Sequence, residues 1–275
     1  MQKRNNEGAS FATTTPMQPG SAKPDPILIA DKITRQFGGL TAVNVDHLEI
    51  QRGSITALIG PNGAGKTTMF NAICGIVTPD SGSLAFEGND LDWPATNELA
   101  KIGIARTLQG VGLFPELTVL ENVMLGAQKF ARTGLLSASF GLNTRDENNL
   151  RDRAHLALER VYGSSISEVR AGSLSYPDSK RVAIARALVS QPKLLLLDEP
   201  AGGLGAQDIE WLNRLISDLS GVMSILIVEH HMDVVMSVCD RIYVLNFGQV
   251  ISSGTPDFVR NDPGVITAYL GADAK

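Results

Sequence analysis

A short apolar run, Ser54 to Ile59, leads straight into Gly60-Pro61-Asn62-Gly63-Ala64-Gly65-Lys66-Thr67. The octet fits G-x-x-x-x-G-K-[ST], and its context is a strand before and a helix, about Gly65 to Cys74, after. The glycines let backbone N–H groups turn inward as a cradle for phosphates, and the helix N-terminus adds its dipole. Lys66 is expected to reach β- and γ-phosphates, with the Thr67 hydroxyl holding Mg2+ and Thr68 completing the phosphate-binding set. A glycine-rich turn with an incidental lysine is the plain alternative, but the full match in strand–loop–helix context argues against it. A chain built round this unit folds as α/β.

The rest of the chain agrees. Two β-rich stretches, Ile27 to Phe37 and Thr41 to Ile50, flank a turn at Phe37-Gly38-Gly39, and a hairpin-like stretch surrounds Ser83 to Phe86. From Val119 to Tyr162 helical periodicity dominates, with Leu150, Ala154, Leu158 and Val161 on one face. Gly134-Leu135-Leu136 and the polar Asn143 to Asn149 read as connections within this helical insert. After Pro177, helices (Asp178 to Val189, Asp208 to Leu219) alternate with apolar strands (Lys193 to Leu197, Ser224 to Val228), which implies a parallel sheet covered on both faces. A hairpin near Arg241 to Gly254 and a short helix before Gly271 end the pattern.

Leu194-Leu195-Leu196-Leu197-Asp198-Glu199 is a strand that ends in two carboxylates. Ligands sit at the carboxyl ends of parallel strands. Asp198 is therefore expected to bind Mg2+, directly or through water, and Glu199 to act as general base on the attacking water.

Charge and cysteine usage narrow the class. The net charge of −5 over 275 residues argues against a general nucleic-acid binder. Cys74 and Cys239 have no zinc-type spacing and read as reduced thiols. Residues 1–26 are rich in Asn, Thr, Ser, Gly and Pro, lack an apolar stretch, and read as a disordered tail. No run of about 18 apolar residues is present to span a bilayer.

The residues between these landmarks resemble the ABC ATPases over about Ile27 to Gly271. "ARTLQGVGLFPELTVLENVMLG" resembles the Q-loop, "LSYPDSKRVAIARALVSQPKLLLLDEP" the signature motif, its helix and the acidic strand, and His230 after "SILIVE" the switch histidine. The resemblance implies that Gln109 contacts the metal and the attacking water, that His230 contacts the γ-phosphate, and that Phe37 stacks on adenine. It implies that Ser175 reaches in trans across a dimer to the partner's γ-phosphate. Each also has a plain reading: Gln109 as a surface amide, Phe37 as core, His230 as structural. His231 has no family role.

A narrower likeness, carried by "RTGLLSASFGL", "EHHMDVVMSVCDRIYVLNFGQVISSGTP" and "DPGVITAYLG", is to the ATP-binding subunits of branched-chain amino acid transporters, a group that includes importers of urea and short amides. The chain departs from it in the signature, where Leu174-Ser175-Tyr176-Pro177-Asp178 replaces Leu-Ser-Tyr-Gly-Gln. Pro177 has no N–H to give a phosphate, and Asp178 adds negative charge, although both suit a helix start. Gly205 stands where the D-loop often has Asp or Asn.

The expected architecture is a P-loop NTPase: a RecA-like α/β core with an antiparallel β subdomain, spanning 27–271, with an α-helical signature subdomain inserted at about 110–177 and a tail at 272–275. The expected function is ATP hydrolysis with ATP and Mg2+, on the cytoplasmic face of the membrane. It would drive transmembrane permease subunits fed by a periplasmic or extracellular binding protein, beside a second ABC ATPase that is a paralogue rather than a copy. A regulatory ATP-binding half with little turnover, or a non-transport ABC ATPase, is the alternative.

Overall fold

The computed structural model describes residues 25–107, 110–130 and 144–270. Two sheets and a set of helices enclose two apolar cores. The first sheet is antiparallel, in the order β2-β1-β4-β5, built from β1 (Pro26–Phe37), β2 (Leu40–Gln51), β4 (Ser81–Phe86) and β5 (Asn89–Leu91). The second runs β10-β9-β3-β8-β7-β6, from β3 (Ile55–Ile59), β6 (Ile104–Arg106), β7 (Leu194–Asp198), β8 (Ser224–Val228), β9 (Arg241–Asn246) and β10 (Gln249–Gly254). Strands β6, β7, β8, β3 and β9 are parallel to their neighbours, and β10 closes the edge as an antiparallel hairpin with β9.

Strand alternation divides the cores. Leu194 and Leu196, Leu226 and Val228, Leu58, Tyr243 and Leu245 face the antiparallel sheet and helix α1 (Lys66–Ile73), whose Met69, Phe70 and Ile73 fill that layer. Leu195 and Leu197, Ile225 and Ile227, Ala57 and Ile59, Ile242 and Val244 face the opposite layer of helices. Side chains two apart on a strand share a face, so each leucine run serves both layers. This is why the strands read as continuous apolar runs.

The helices after α1 are α2 (Leu99–Ile102), α3 (Val119–Met124), a 3-10 turn (Leu125–Phe130), α4 (Thr144–Arg160), α5 (Tyr176–Leu188), α6 (Ala206–Ser220), α7 (Met232–Val238), α8 (Pro256–Arg260) and α9 (Pro263–Leu270). The expected helical face is present: Ala154, Leu158 and Val161 are buried, with Leu150 packed against them. Helix α3 starts with a capping box in which Thr118 and Glu121 exchange hydrogen bonds.

The reading of Asn143 to Asn149 as a connection is corrected, because residues 144–149 are the first turns of α4. Their polarity marks a solvent face: Glu147 pairs with Arg151 at 3.2 Å, and Arg153 donates to Asn149 at 2.8 Å, both i,i+4 contacts. Helix α5 begins at Tyr176 rather than Asp178, so the expected subdomain limit at 177 falls within its first turn. Its Val182 and Ala185 join the insert and the sheet in one core. The first strand begins at Pro26, and Asp25 is already paired with Arg52 at 2.9 Å. The tails, the Gly134-Leu135-Leu136 connection and Gln109 lie outside the described residues.

Candidate functional site

The C-terminal ends of β6, β7, β8 and β3 lie side by side, because the parallel register pairs Asp198 with Val228 and Leu58 with Val228. That register assembles residues from distant stretches of sequence. From β3 comes the loop Gly60 to Gly65, from β7 Asp198 and Glu199, from β8 Glu229 and His230, and from β6 Thr107, whose hydroxyl accepts the Asp198 N–H at 3.3 Å.

The loop is shaped by backbone that only glycine tolerates. At Gly65 φ is +101°, and a Cβ would stand 2.3 Å from the Ala42 carbonyl oxygen. At Gly60 φ is +149°, and a Cβ would stand 2.1 Å from the Leu245 carbonyl oxygen. The β9–β10 turn braces the loop from outside: the Gly248 N–H donates to the Ala64 carbonyl at 2.9 Å, and the Gly248 carbonyl accepts from Asn44 at 2.7 Å. Gly65 is the N-cap of α1 and offers no side-chain acceptor, so the first N–H groups of α1 are left for a ligand.

Lys66 is buried and donates to the Gly60 carbonyl at 2.7 Å and the Pro61 carbonyl at 2.9 Å. Burial lowers its ammonium below the ordinary lysine range, while the charge of Glu199 opposes the shift. Thr67 is exposed and Thr68 half-buried in the first turn of α1. Burial raises the Asp198 carboxyl above the ordinary aspartate range, and the like charge of Glu199 adds to the effect. Asp198 and Glu199 are adjacent carboxylates at the end of β7, and Thr67 is an exposed hydroxyl in the first turn of α1; oxygen donors of this kind suit a hard cation such as Mg2+.

Glu199 is held in a left-handed backbone conformation, φ +46°, rare for a residue with a Cβ. Two contacts support it. Its N–H donates to the Val228 carbonyl at 2.9 Å, and its own carbonyl accepts from the buried Lys180 ammonium of α5 at 3.0 Å. The His230 Nδ1 lies 3.7 Å from Glu199 Oε1. Lys66, Asp198, Glu199 and His230 therefore share one rim of the sheet.

Phe37 is 47% exposed at the end of β1, with the Arg35 guanidinium 4.7 Å from its ring centre, so the reading as core does not apply. Ser175 is the exposed N-cap of α5. Its hydroxyl accepts the Asp178 N–H at 3.2 Å and donates to Asp178 Oδ2 at 2.7 Å. Pro177 sits in the first helical turn, where its missing N–H costs the helix nothing. Gly205 caps α6 without a side-chain hydrogen bond.

Two residues went unnoticed in the sequence. Glu229, 1% exposed, accepts three backbone N–H groups: Ala201 at 2.8 Å, His230 at 2.7 Å and His231 at 2.9 Å. An acid closing the apolar run Ser224 to Val228 repeats the pattern of Asp198 and was available as a signal. Lys180 had none, since nothing local separates it from Arg181.

The family model described as "ABC transporter" matches residues 43–202, and that described as "Branched-chain amino acid ATP-binding cassette transporter" matches residues 249–275. The high-affinity branched-chain amino acid transport ATP-binding protein LivG of Salmonella typhimurium is 41% identical over 250 residues, covering 90% of this chain and 98% of LivG. A crystal structure of the ADP conformation of an ATP-binding cassette of an ABC transporter superposes with a TM-score of 0.78 at 31% identity, covering 90% of this chain and 100% of that one. A dimeric ATP-binding cassette in a post-hydrolysis state, bound to ADP and Pi, gives a TM-score of 0.70 at 28% identity, covering 83% of this chain and 98% of that one.

Proposed function

The chain belongs to the ABC transporter ATP-binding cassettes, as a nucleotide-binding, ATP-hydrolysing subunit of an importer, and from that premise we propose how its own residues divide the work and what it helps to import. The observation that carries the proposal is the convergence of the β3 loop, the β7 acids and the β8 histidine on one rim of the sheet. The loop N–H groups and Lys66 bind the phosphates of ATP. Thr67 and Asp198 hold Mg2+, with Gln109 as a further ligand. When bound, Mg2+ neutralises the charge on the phosphates. Glu199 orients the attacking water and accepts its proton, and His230, beside it, contacts the γ-phosphate. Phe37 receives the adenine.

The imported solutes are branched-chain amino acids, the class named for LivG and for the C-terminal family match, or related small polar molecules. No described helix is long and apolar enough to cross a membrane, so permease subunits supply the spans and hold this chain at the cytoplasmic face. Their docking place is the groove of about 260 Å³ beside the Q-loop, lined by Leu99, Arg106, Leu125 and Arg186. Arg186 shapes it by donating to the carbonyls of Gly112 at 2.7 Å and Val111 at 3.2 Å.

The Ser175–Asp178 contact favours a second feature. Pro177 and Asp178 weaken the signature that this chain offers a partner, so a paralogous ATPase supplies the sound signature for this chain's own site. ATP hydrolysis by the purified chain across protein concentrations, beside Glu199→Gln, tests both points. Turnover only with a second ATPase added, and lost in Glu199→Gln, is expected. Turnover rising faster than linearly in the chain alone would refute the paralogue requirement, and turnover unchanged in Glu199→Gln would refute the assigned base.

A further inference from the structure

The three residues after β8, Glu229, His230 and His231, bring one carboxylate oxygen and two imidazole nitrogens within 4.8 Å of one another. The His230 Nδ1 lies 3.8 Å from Glu229 Oε2 and 3.7 Å from Glu199 Oε1. These separations are too long for hydrogen bonds. The His230–Glu229 separation is a few tenths of an ångström wider than the spacing of ligands round one tetrahedral cation, about 3.3–3.5 Å for metal–ligand bonds of about 2.0–2.2 Å. The His231 Nε2 is buried and has no hydrogen-bond partner, and its ring stands 4.3 Å from that of His230. The Glu229 carboxylate has about four lone-pair directions; the His230 and His231 N–H groups take both on Oε2 and the Ala201 N–H takes one on Oε1, so the one that remains for a cation is on Oε1.

We propose that Glu229, His230 and His231 form a binding site for a divalent transition metal of the zinc and copper class, distinct in its donor chemistry from the oxygen-lined Mg2+ position beside it. Two imidazoles and a carboxylate are the donors such ions select, whereas Mg2+ prefers oxygen alone. His230 is half-exposed and gives access from solvent, and its side chain closes the remaining gap by rotation. His231 is the residue that makes the site, since it adds the second nitrogen. An ion there draws His230 toward Glu229 and away from the γ-phosphate, so it acts as an inhibitor. This consequence rests on the proposed hydrolytic roles, but the binding does not.

Another histidine near acids, His47, differs. His47 already bonds Asp31 at 2.5 Å through Nδ1, and its Nε2 lies 3.5 Å from Glu49, so it serves as a control.

The experiment is titration of Zn2+ into the full chain without nucleotide, by calorimetry and by competition with a chromophoric chelator, for wild type, His231→Asn and His47→Asn. His231 is the N-cap of α7 and Asn is a favoured N-cap, so this variant keeps its fold. His231→Asn is expected to weaken Zn2+ binding at least about tenfold, and His47→Asn to leave it unchanged. Turnover with Mg2+ and a second ATPase, read in parallel, should fall with Zn2+ in wild type and resist it in His231→Asn. Undiminished Zn2+ binding in His231→Asn, or loss of binding in His47→Asn, overturns the site. Binding that depends on His231 but leaves turnover untouched overturns the inhibitory clamp. Absence of turnover in zinc-free wild type counts against the hydrolytic reading alone, and the binding result still decides the site.

Discussion

Glu229 accepts a hydrogen bond from the backbone N–H of Ala201 at 2.8 Å, although the two stand on different strand-end loops. The same carboxylate holds the N–H groups of His230 and His231. One buried side chain thus ties the segment after Glu199 to the segment that carries His230. Removing it as Glu229→Ala leaves three N–H groups without their acceptor, each costing about 1–3 kcal/mol when buried. Allowing for water entering the gap, we expect a net loss of about 2–4 kcal/mol in denaturant unfolding. Turnover should fall at least about tenfold, equivalent to about 1.4 kcal/mol of barrier, while the KM for ATP stays within about twofold. A KM that rises in step with the fall in turnover would instead place Glu229 in nucleotide binding.

Gly65 and Gly63 both have positive φ, +101° and +78°, but only at Gly65 would a Cβ strike backbone. Gly63→Ala should cost only the left-handed penalty of about 1–2 kcal/mol. Gly65→Ala adds a collision with the Ala42 carbonyl oxygen and should cost about 3 kcal/mol or more. Its affinity for a fluorescent ATP analogue should drop by more than about tenfold, because the loop must shift to make room. Equal behaviour of the two variants in thermal unfolding and titration would refute the close packing.

The raised Asp198 carboxyl has a consequence for stability against pH. A carboxyl whose pKa is higher in the folded than in the unfolded state contributes stability below its unfolded value of about 3.9 and loses it as pH rises through the folded value. Above the folded value the desolvated Asp198 charge therefore burdens the nucleotide-free fold. Asp198→Asn should raise the melting temperature at pH 7 without Mg2+, and the gain should vanish in acid. Its ATP turnover should be lost, as measured by phosphate release. A gain that persists below the ordinary carboxylate range would show that the charge is not its cause.

At the start of α5 the Ser175 hydroxyl is engaged by Asp178. Ser175→Ala removes the cap and should cost about 1 kcal/mol in thermal unfolding. Replacing Pro177 by Gly and Asp178 by Gln restores a backbone donor and frees the hydroxyl. In the assembled transporter with its permeases, this pair of changes should raise ATP turnover severalfold or tighten ATP binding. Unchanged turnover and affinity would sink the idea that the signature is impaired.

Much of the fold is legible in the sequence. The strand–loop–helix at Gly60 to Thr67 and the apolar strands ending at Asp198 and Val228 are local patterns with local causes, and the structure reproduces them within a residue or two. The reading of residues 144–149 as a connection fails because a helix face turned to solvent is as polar as a loop; the ion pair and hydrogen bond from residues 147 and 149 reveal the helix. Glu229 showed only as an acid at a strand end. Its partner Ala201 is 28 positions away, and no local pattern joins them.

The sequence by itself determined which groups the chain carries: glycines where backbone must bend, a lysine and threonines directly after them, two acids at the end of a leucine run. These follow from conformational limits and charge, which act over a few residues. Only the tertiary structure decided how they meet. The parallel register of β7, β8 and β3 brings Lys66, Glu199 and His230 to one rim, and Lys180 from α5 props the strained Glu199 backbone. The physical reason is that strand pairing and core packing join residues far apart in the chain, and a buried ammonium or carboxylate finds its partners only when the core closes round it.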